Sequence, residues 1–228
     1  MLKYVIAPIH QAGWPFIGLA LAATLGLALL WQPLVWPGLA AVFFCIYFFR
    51  DPVRMTPVRQ GLVVSPADGI VTAIERAAPP PELGMEEHPL TRISVFLSVL
   101  DVHVNRVPAD GTVLKSAYHP GQFLNAAMDK ASELNERQSV SLRTGDGRVI
   151  AFVQIAGLIA RRIICDLKEG QQVRAGERFG LIRFGSRTDV YLPDGTAPLV
   201  AVGQRMIGGE TVIADLATQE GPRPGEAR

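Results

Sequence analysis

Hydrophobic positions are spread very unevenly along this chain. From Trp14 to Trp31 no residue is charged (WPFIGLALAATLGLALLW), and after Gln32-Pro33 a second uncharged run goes from Leu34 to Phe49 (LVWPGLAAVFFCIYFF). The first run is long enough for a helix across the hydrocarbon core of a bilayer, and the second is slightly short. Pro37 is placed to open the second helix, where a missing N–H costs nothing. Lys3 flanks one end of the pair and Arg50 and Arg54 the other. The pattern therefore predicts a membrane hairpin with both ends on the cytoplasmic side. Trp14, Trp31 and Trp36 suit the two interfaces. A cleaved signal peptide would need a basic leader, a short apolar stretch and a small-residue cleavage site. Lys3 is the single early charge, and no such site separates the two runs. A buried hairpin in a soluble protein is disfavoured, because the later sequence offers no matching apolar layer.

From Leu62 onward the pattern changes. Short β-rich runs (69–75, 92–97, 148–155 and 162–167) are separated by Gly, Pro and Asp. That rhythm predicts a sandwich or barrel with many tight turns. Residues 78–89 form a loop, since three consecutive prolines forbid a central strand. Residues 126–138 are the one polar stretch with helical content, and 219–228 read as a disordered tail. Residues 166–182, with turns at Gly170 and Gly176 around Val173, resemble the folded hairpin of barrel-sandwich hybrid domains. The expected fold is mainly β with some α, a barrel-sandwich-hybrid-like domain over 57–218. It follows a hydrophobic helical hairpin over 1–56 and precedes the tail 219–228.

The net charge of +1 argues against a nucleic-acid partner. Cys45 and Cys165 form no disulfide framework, and no Cys/His cluster suggests a metal. The most informative chemistry is Phe184-Gly185-Ser186-Arg187, between two segments that read as strands. On a constrained turn the Ser186 hydroxyl can attack the Gly185 carbonyl and turn the amide into an ester. Elimination would leave dehydroalanine at 186, which hydrolyses to a pyruvoyl group, an electron sink built from the chain itself. Gly-Ser pairs are also ordinary turn residues. Asp68 in the turn 65–69 is a second candidate. His103 and Arg106 lie in the Pro-ended segment 97–108, and His119 and Asn125 in the polar run 118–137. Each has a plain structural reading: a turn carboxylate, a strand-stabilising histidine, an arginine paired with Asp101 or Asp110. His10 and His88 read as solvent or interface residues.

Taken together, the apolar N-terminus, 65–69, 97–108, 118–137 and the Phe-Gly-Ser turn closely resemble the phosphatidylserine decarboxylase family in its short form. The resemblance runs from the hairpin to about Ala214. It implies self-cleavage between Gly185 and Ser186 into a β chain (1–185) and an α chain (186–228) that stay associated, with Ser186 converted to the covalent pyruvoyl cofactor and no metal. It further implies a Schiff base with the amine of membrane phosphatidylserine, loss of CO2 and release of phosphatidylethanolamine. His103 is assigned to decarboxylation or protonation, and Asp68 to maturation, orienting an imidazole as in triads. Arg106, His119 and Asn125 are candidate substrate-binding residues, Arg106 gripping the carboxylate or phosphate of the headgroup. The family's longer bacterial enzymes carry a second histidine where Arg106 stands, so their Asp-His-Ser relay does not transfer intact. The place of action implied is the cytoplasmic side of the bacterial cell membrane, and a homodimer is conceivable through an exposed sheet edge.

A competing reading is a membrane-tethered carrier or adaptor. Ala127-Met128-Asp129-Lys130-Ala131 looks like the turn that bears lipoate in carrier domains, with Lys130 modified. Here the lysine lies in a long polar segment and not at a hairpin tip, which weighs against it. A third reading, a periplasm-facing structural protein with a signal anchor, would call for strong positive charge at one end of the hairpin only.

Overall fold

A computed structural model describes residues 7–86, 88–124, 134–158, 162–183 and 185–226. The chain divides into two compact units, residues 1–53 and 54–228. The first is a pair of apolar helices, α1 (Trp14–Leu30) and α2 (Val35–Phe48). Pro15 lies in the first turn of α1, where a proline ring is tolerated, and the chain turns at an extended Trp31 followed by Pro33. Helix α2 begins at Val35, two residues before Pro37, which still falls within the first turn where no intrahelical N–H is needed. The helices touch through small residues. A Cβ on Gly38 would come within 2.5 Å of the Thr24 side chain, and Thr24 is buried with its hydroxyl donating to the Ala20 carbonyl. The stretch 11–30 is long and apolar enough to cross a membrane, whereas 32–48 is shorter.

The second unit is built almost entirely of strands. These are β1 (Leu62–Val64), β2 (Gly69–Ala77), β3 (Leu90–Leu97), β4 (Val104–Arg106), β5 (Gly111–His119), β6 (Arg137–Arg143) and β7 (Val149–Ala156). They continue with β8 (Ile163–Cys165), β9 (Gln172–Val173), β10 (Arg178–Ile182), β11 (Ser186–Leu192), β12 (Arg205–Met206) and β13 (Val212–Asp215). Eight of them form one sheet in the order β12-β2-β3-β11-β7-β6-β5-β9, while β4-β10-β8 and β1-β13 form two smaller sheets. One core joins all three, with Val190, Ile93, Phe152 and Leu142 from the large sheet, Phe179 from β10, and Val63 and Ile213 from the β1–β13 pair. The chain is thus mainly β behind an apolar helical pair, as its pattern predicts.

Of the hairpin expected over 166–182, β10 forms one arm and pairs with β8, which ends at Cys165 just before it, while β9 between them pairs with β5. Gly170 (φ 80°) and Gly176 (φ 79°) make its left-handed turns. One expectation needs correction: the polar run read as helical to residue 138 has already become strand at Arg137, the first residue of β6. Arg137 is buried there by a bidentate pair with Glu82 that its place in the sequence does not announce. Most of the rest of that run, including Asn125 and Lys130, lies outside the described residues.

Candidate active site

Ser186 opens β11, the strand between β3 and β7. It pairs with Leu97, the last residue of β3, and with Ala156, the last residue of β7. Gly185, just outside the ladder, has φ 68°, a left-handed conformation that a Cβ disfavours. Residue 186 is therefore paired on both sides directly after a left-handed turn. Alternation along β11 places Ser186 and Thr188 on the face of Val190 and Leu192, the core side, while Arg187, Asp189 and Tyr191 take the other face. The Ser186 side chain has no exposed surface, and its hydroxyl finds no hydrogen-bond partner among the described residues.

Asp68 reaches the same end of the sheet from the start of β2. Gly69 packs so tightly on β3 that a Cβ there would lie 2.2 Å from the Phe96 carbonyl oxygen. One Asp68 oxygen accepts from the Gly208 N–H at 2.8 Å, and the other meets the Arg54 guanidinium at 2.6 Å. Burial raises its pKa, and Arg54 and the Gly208 N–H only partly oppose that rise. Asp101 lies close enough to add to the rise. It sits in the loop after β3, accepting from the Ser98 N–H at 2.8 Å and pairing with Arg205 at 2.8 Å. Burial pushes Asp101 upward as well, but the Arg205 and Ser98 hydrogen bonds outweigh it and its pKa falls.

His103 is fully buried. Its Nδ1 lies 2.9 Å from the Asp101 carbonyl oxygen, which can only accept, so Nδ1 carries the proton. The His103 carbonyl accepts from the Ile182 N–H at 3.3 Å, which ties the histidine to the strand leading into Gly185. Asp68 thus lies at the Ser186 end of the large sheet, and His103, which leads into β4 of the smaller sheet, is tied through Ile182 to the strand that runs toward Gly185.

The other candidates lie further off. Arg106 is buried in β4 and donates to the Gly176 carbonyl at 2.8 Å, its stem packing against Gly209. Of the two carboxylates considered as its partners, Asp101 is paired with Arg205, and Asp110 accepts from the Ala175 N–H. His119 ends β5 opposite Arg137, three strands and so roughly 14 Å across the sheet from Ser186. His88 pairs with Asp194 and Glu86, and the His10 ring accepts from the Ala12 N–H.

Several neighbours of Ser186 escape a linear reading. Gln154 stands opposite Thr188 and donates to the Asn105 side-chain oxygen at 2.8 Å and to the Ile164 carbonyl at 3.2 Å. The Ile164 carbonyl fixes the amide orientation, since it can only accept. That leaves Gln154 Oε1, Asn105 Nδ2 and Thr188 Oγ1 buried without partners among the described residues. Buried polar atoms of this kind are ordinarily satisfied by a bound polar group or water. Arg54 reads from sequence as a topology charge, and nothing local reveals its grip on Asp68.

The family model for phosphatidylserine decarboxylase matches residues 42–214, which include Asp68, His103, Gly185 and Ser186. The chain belongs to the phosphatidylserine decarboxylase family. Its relatives include the phosphatidylserine decarboxylase proenzyme of Paramagnetospirillum magneticum, 61% identical over all of this chain and 95% of that one. That of Cereibacter sphaeroides is 59% identical over all of this chain and 98% of the relative. That of Granulibacter bethesdensis is 60% identical over 94% and 88%. Family members at this similarity are matched from the apolar helices through the Gly185–Ser186 turn, so membership rests on the whole chain and not on one motif.

Proposed function

We propose that this chain is a proenzyme that breaks its own backbone between Gly185 and Ser186 and then converts phosphatidylserine to phosphatidylethanolamine and CO2. The observation that carries the reading is the placement of Ser186. It is the first residue of a buried central strand, directly after a left-handed glycine, with Asp68 at the same sheet end and His103 bonded to the strand that leads into that glycine. Residues 1–185 form the β chain and 186–228 the α chain, and Ser186 becomes the pyruvoyl group.

The site fits that group. The Ser186 hydroxyl gives up no hydrogen bond to a described residue when it is lost, and the polar atoms of Thr188, Gln154 and Asn105 face the same interior. The pyruvoyl ketone supplies an acceptor for the substrate amine and a sink for the electron pair released with CO2. The protein residues do the rest. His103, with Nδ1 held by the Asp101 carbonyl, presents Nε2 for proton transfer. Asp68 serves self-cleavage as a carboxyl group shielded from water and paired with Arg54. Arg106, anchored on Gly176 where a second histidine stands in longer relatives, acts by positioning the β4 segment that carries His103. Since Ser186 has no exposed surface in the uncut chain, lipid reaches residue 186 only after the break. The hairpin 1–56 holds this domain at the cytoplasmic face of the membrane, so it meets a substrate that does not leave the bilayer.

The test is an intact-mass measurement on the wild type and Ser186→Ala, paired with release of labelled CO2 from carboxyl-labelled phosphatidylserine. Two fragments breaking before Ser186, with CO2 released only by the split protein, are expected. An unsplit wild type that still releases CO2 overturns the reading.

A further inference from the structure

The end of the large sheet that carries Ser186 is ringed by exposed apolar side chains that no fold requirement explains. Val99 and Leu100, in the loop that follows the Ser186-paired end of β3, are 40% and 60% exposed. Leu158, two residues past Ala156 on the other side of Ser186, is 69% exposed. Ile207 follows β12, which pairs with the start of β2, and is 40% exposed. Met55 is 71% exposed, and its N–H donates to Glu210, whose own N–H donates to the Ile207 carbonyl. These five residues come from four separate segments and converge on one rim, where a soluble domain would expose scattered residues of this kind singly.

Cations share the rim. Arg162 is exposed, and its carbonyl accepts from the N–H of half-buried Arg183, just before Gly185. Arg205, 62% exposed, pairs there with Asp101. Arg54, the first residue of this unit, is fixed to Asp68 at the same end. Apolar tips interleaved with guanidiniums suit the headgroup–acyl boundary of an anionic bilayer, where the tips leave water and the cations meet lipid phosphates.

We propose that this rim is a second membrane contact, through which the catalytic domain itself docks on an anionic lipid surface with the Ser186 end of the large sheet facing the headgroups. The inference rests on the proposed action on phosphatidylserine for its choice of partner, but its test has a readout independent of turnover. Full-length chains with Cys45 and Cys165 replaced by Ser carry a spin label at Leu100→Cys or at Gly145→Cys. Gly145 lies in open space in the β6–β7 turn at the opposite end of the sheet. In vesicles of phosphatidylserine and phosphatidylcholine, the label at 100 is expected to become accessible to oxygen and shielded from aqueous nickel, while that at 145 stays nickel-accessible. Equal nickel access at both positions overturns the proposal. So does burial of the label at 100 in detergent that deepens with protein concentration, which marks a second copy of the chain as the occupant.

A kinetic arm complements this. Val99→Asp with Leu100→Asp is expected to raise KM for vesicle phosphatidylserine about tenfold or more, as loss of two apolar insertions requires. Self-cleavage and turnover of monomeric short-chain phosphatidylserine should stay at wild-type levels. Equal loss on both substrates refutes docking, whereas an unsplit wild type without turnover refutes the enzyme reading and leaves the label result to decide docking alone.

Discussion

Replacing Gly185 isolates what the left-handed turn contributes to self-cleavage. At φ 68°, a residue with a Cβ costs about 1 to 2 kcal/mol more than glycine. A Cβ built there meets no atom within 4 Å, so no steric clash adds to that cost. If the left-handed turn is the reactive one, Gly185→Ala relaxes locally to negative φ and populates the reactive turn less. At 1.36 kcal/mol per decade, cleavage then slows roughly 5- to 30-fold. Gly185→Asn should slow it less, since asparagine tolerates this region, and Gly185→Val more, since a β-branched side chain tolerates it worst. The assay is a gel time course of unsplit against split chain after a short pulse of synthesis. Under the proposed cleavage residue 185 becomes the carboxyl terminus of the larger piece, so turnover per split molecule should stay close to wild type. Wild-type cleavage rates in both the Ala and Asn variants would refute the role of φ. A loss of a thousandfold or more in Gly185→Ala would show that something other than backbone conformation had been removed.

Other outcomes follow from the ion pairs. Arg54→Gln removes the cation that opposes the rise burial imposes on the Asp68 pKa, so the acid-side fall of the self-cleavage rate should move to higher pH; an unchanged pH profile would exclude Asp68 as the titrating group. Glu82 is held at about 2 against its ordinary 4.5, burial being outweighed by hydrogen bonds from Arg137 and Ser139. Because the folded pKa is the lower one, this stabilisation is complete above about pH 4.5 and disappears as pH falls toward 2, and it amounts to no more than about 3 kcal/mol. Thermal melts of uncut Ser186→Ala protein with and without Glu82→Gln should therefore differ near pH 6 and converge near pH 2. Gln154→Leu leaves the buried Asn105 side-chain oxygen without its donor, costing about 1 to 3 kcal/mol; its melting temperature in the same uncut background should fall several degrees, and an unchanged value would show that this amide contributes nothing to the contact between β7 and β4.

Local features of the fold were legible because they are encoded locally. Uncharged runs mark the two helices, Gly170 and Gly176 mark the turns of the 166–182 hairpin, and Gly185 marks the break between β10 and β11. Strand order was not legible. Ser186 finds Leu97 and Ala156 across long sequence separations, and hydrophobic pattern alone does not say which strands become neighbours. The same holds at the site. Asp68, His103 and Ser186 could be named from their motifs, but their partners Arg54, Asp101, Arg205 and Gln154 arrive from distant segments and carry no motif. In the sequence Arg54 is no more than a positive charge flanking an apolar run. The polar run before Arg137 misleads because β6 alternates Arg, Ser and Ser on the face that meets Glu82, so a buried strand presents a hydrophilic sequence.

The position of β11 changes the molecularity of unfolding. A break before Ser186 leaves β11, β12 and β13 in the smaller piece, and each of them pairs with strands of the larger: β11 with β3 and β7, β12 with β2, β13 with β1. The two pieces are thus woven through the core and cannot part without dismantling the large sheet. Dissociation and denaturation become one event, whose midpoint rises with protein concentration in the split molecule and is independent of concentration in the uncut one.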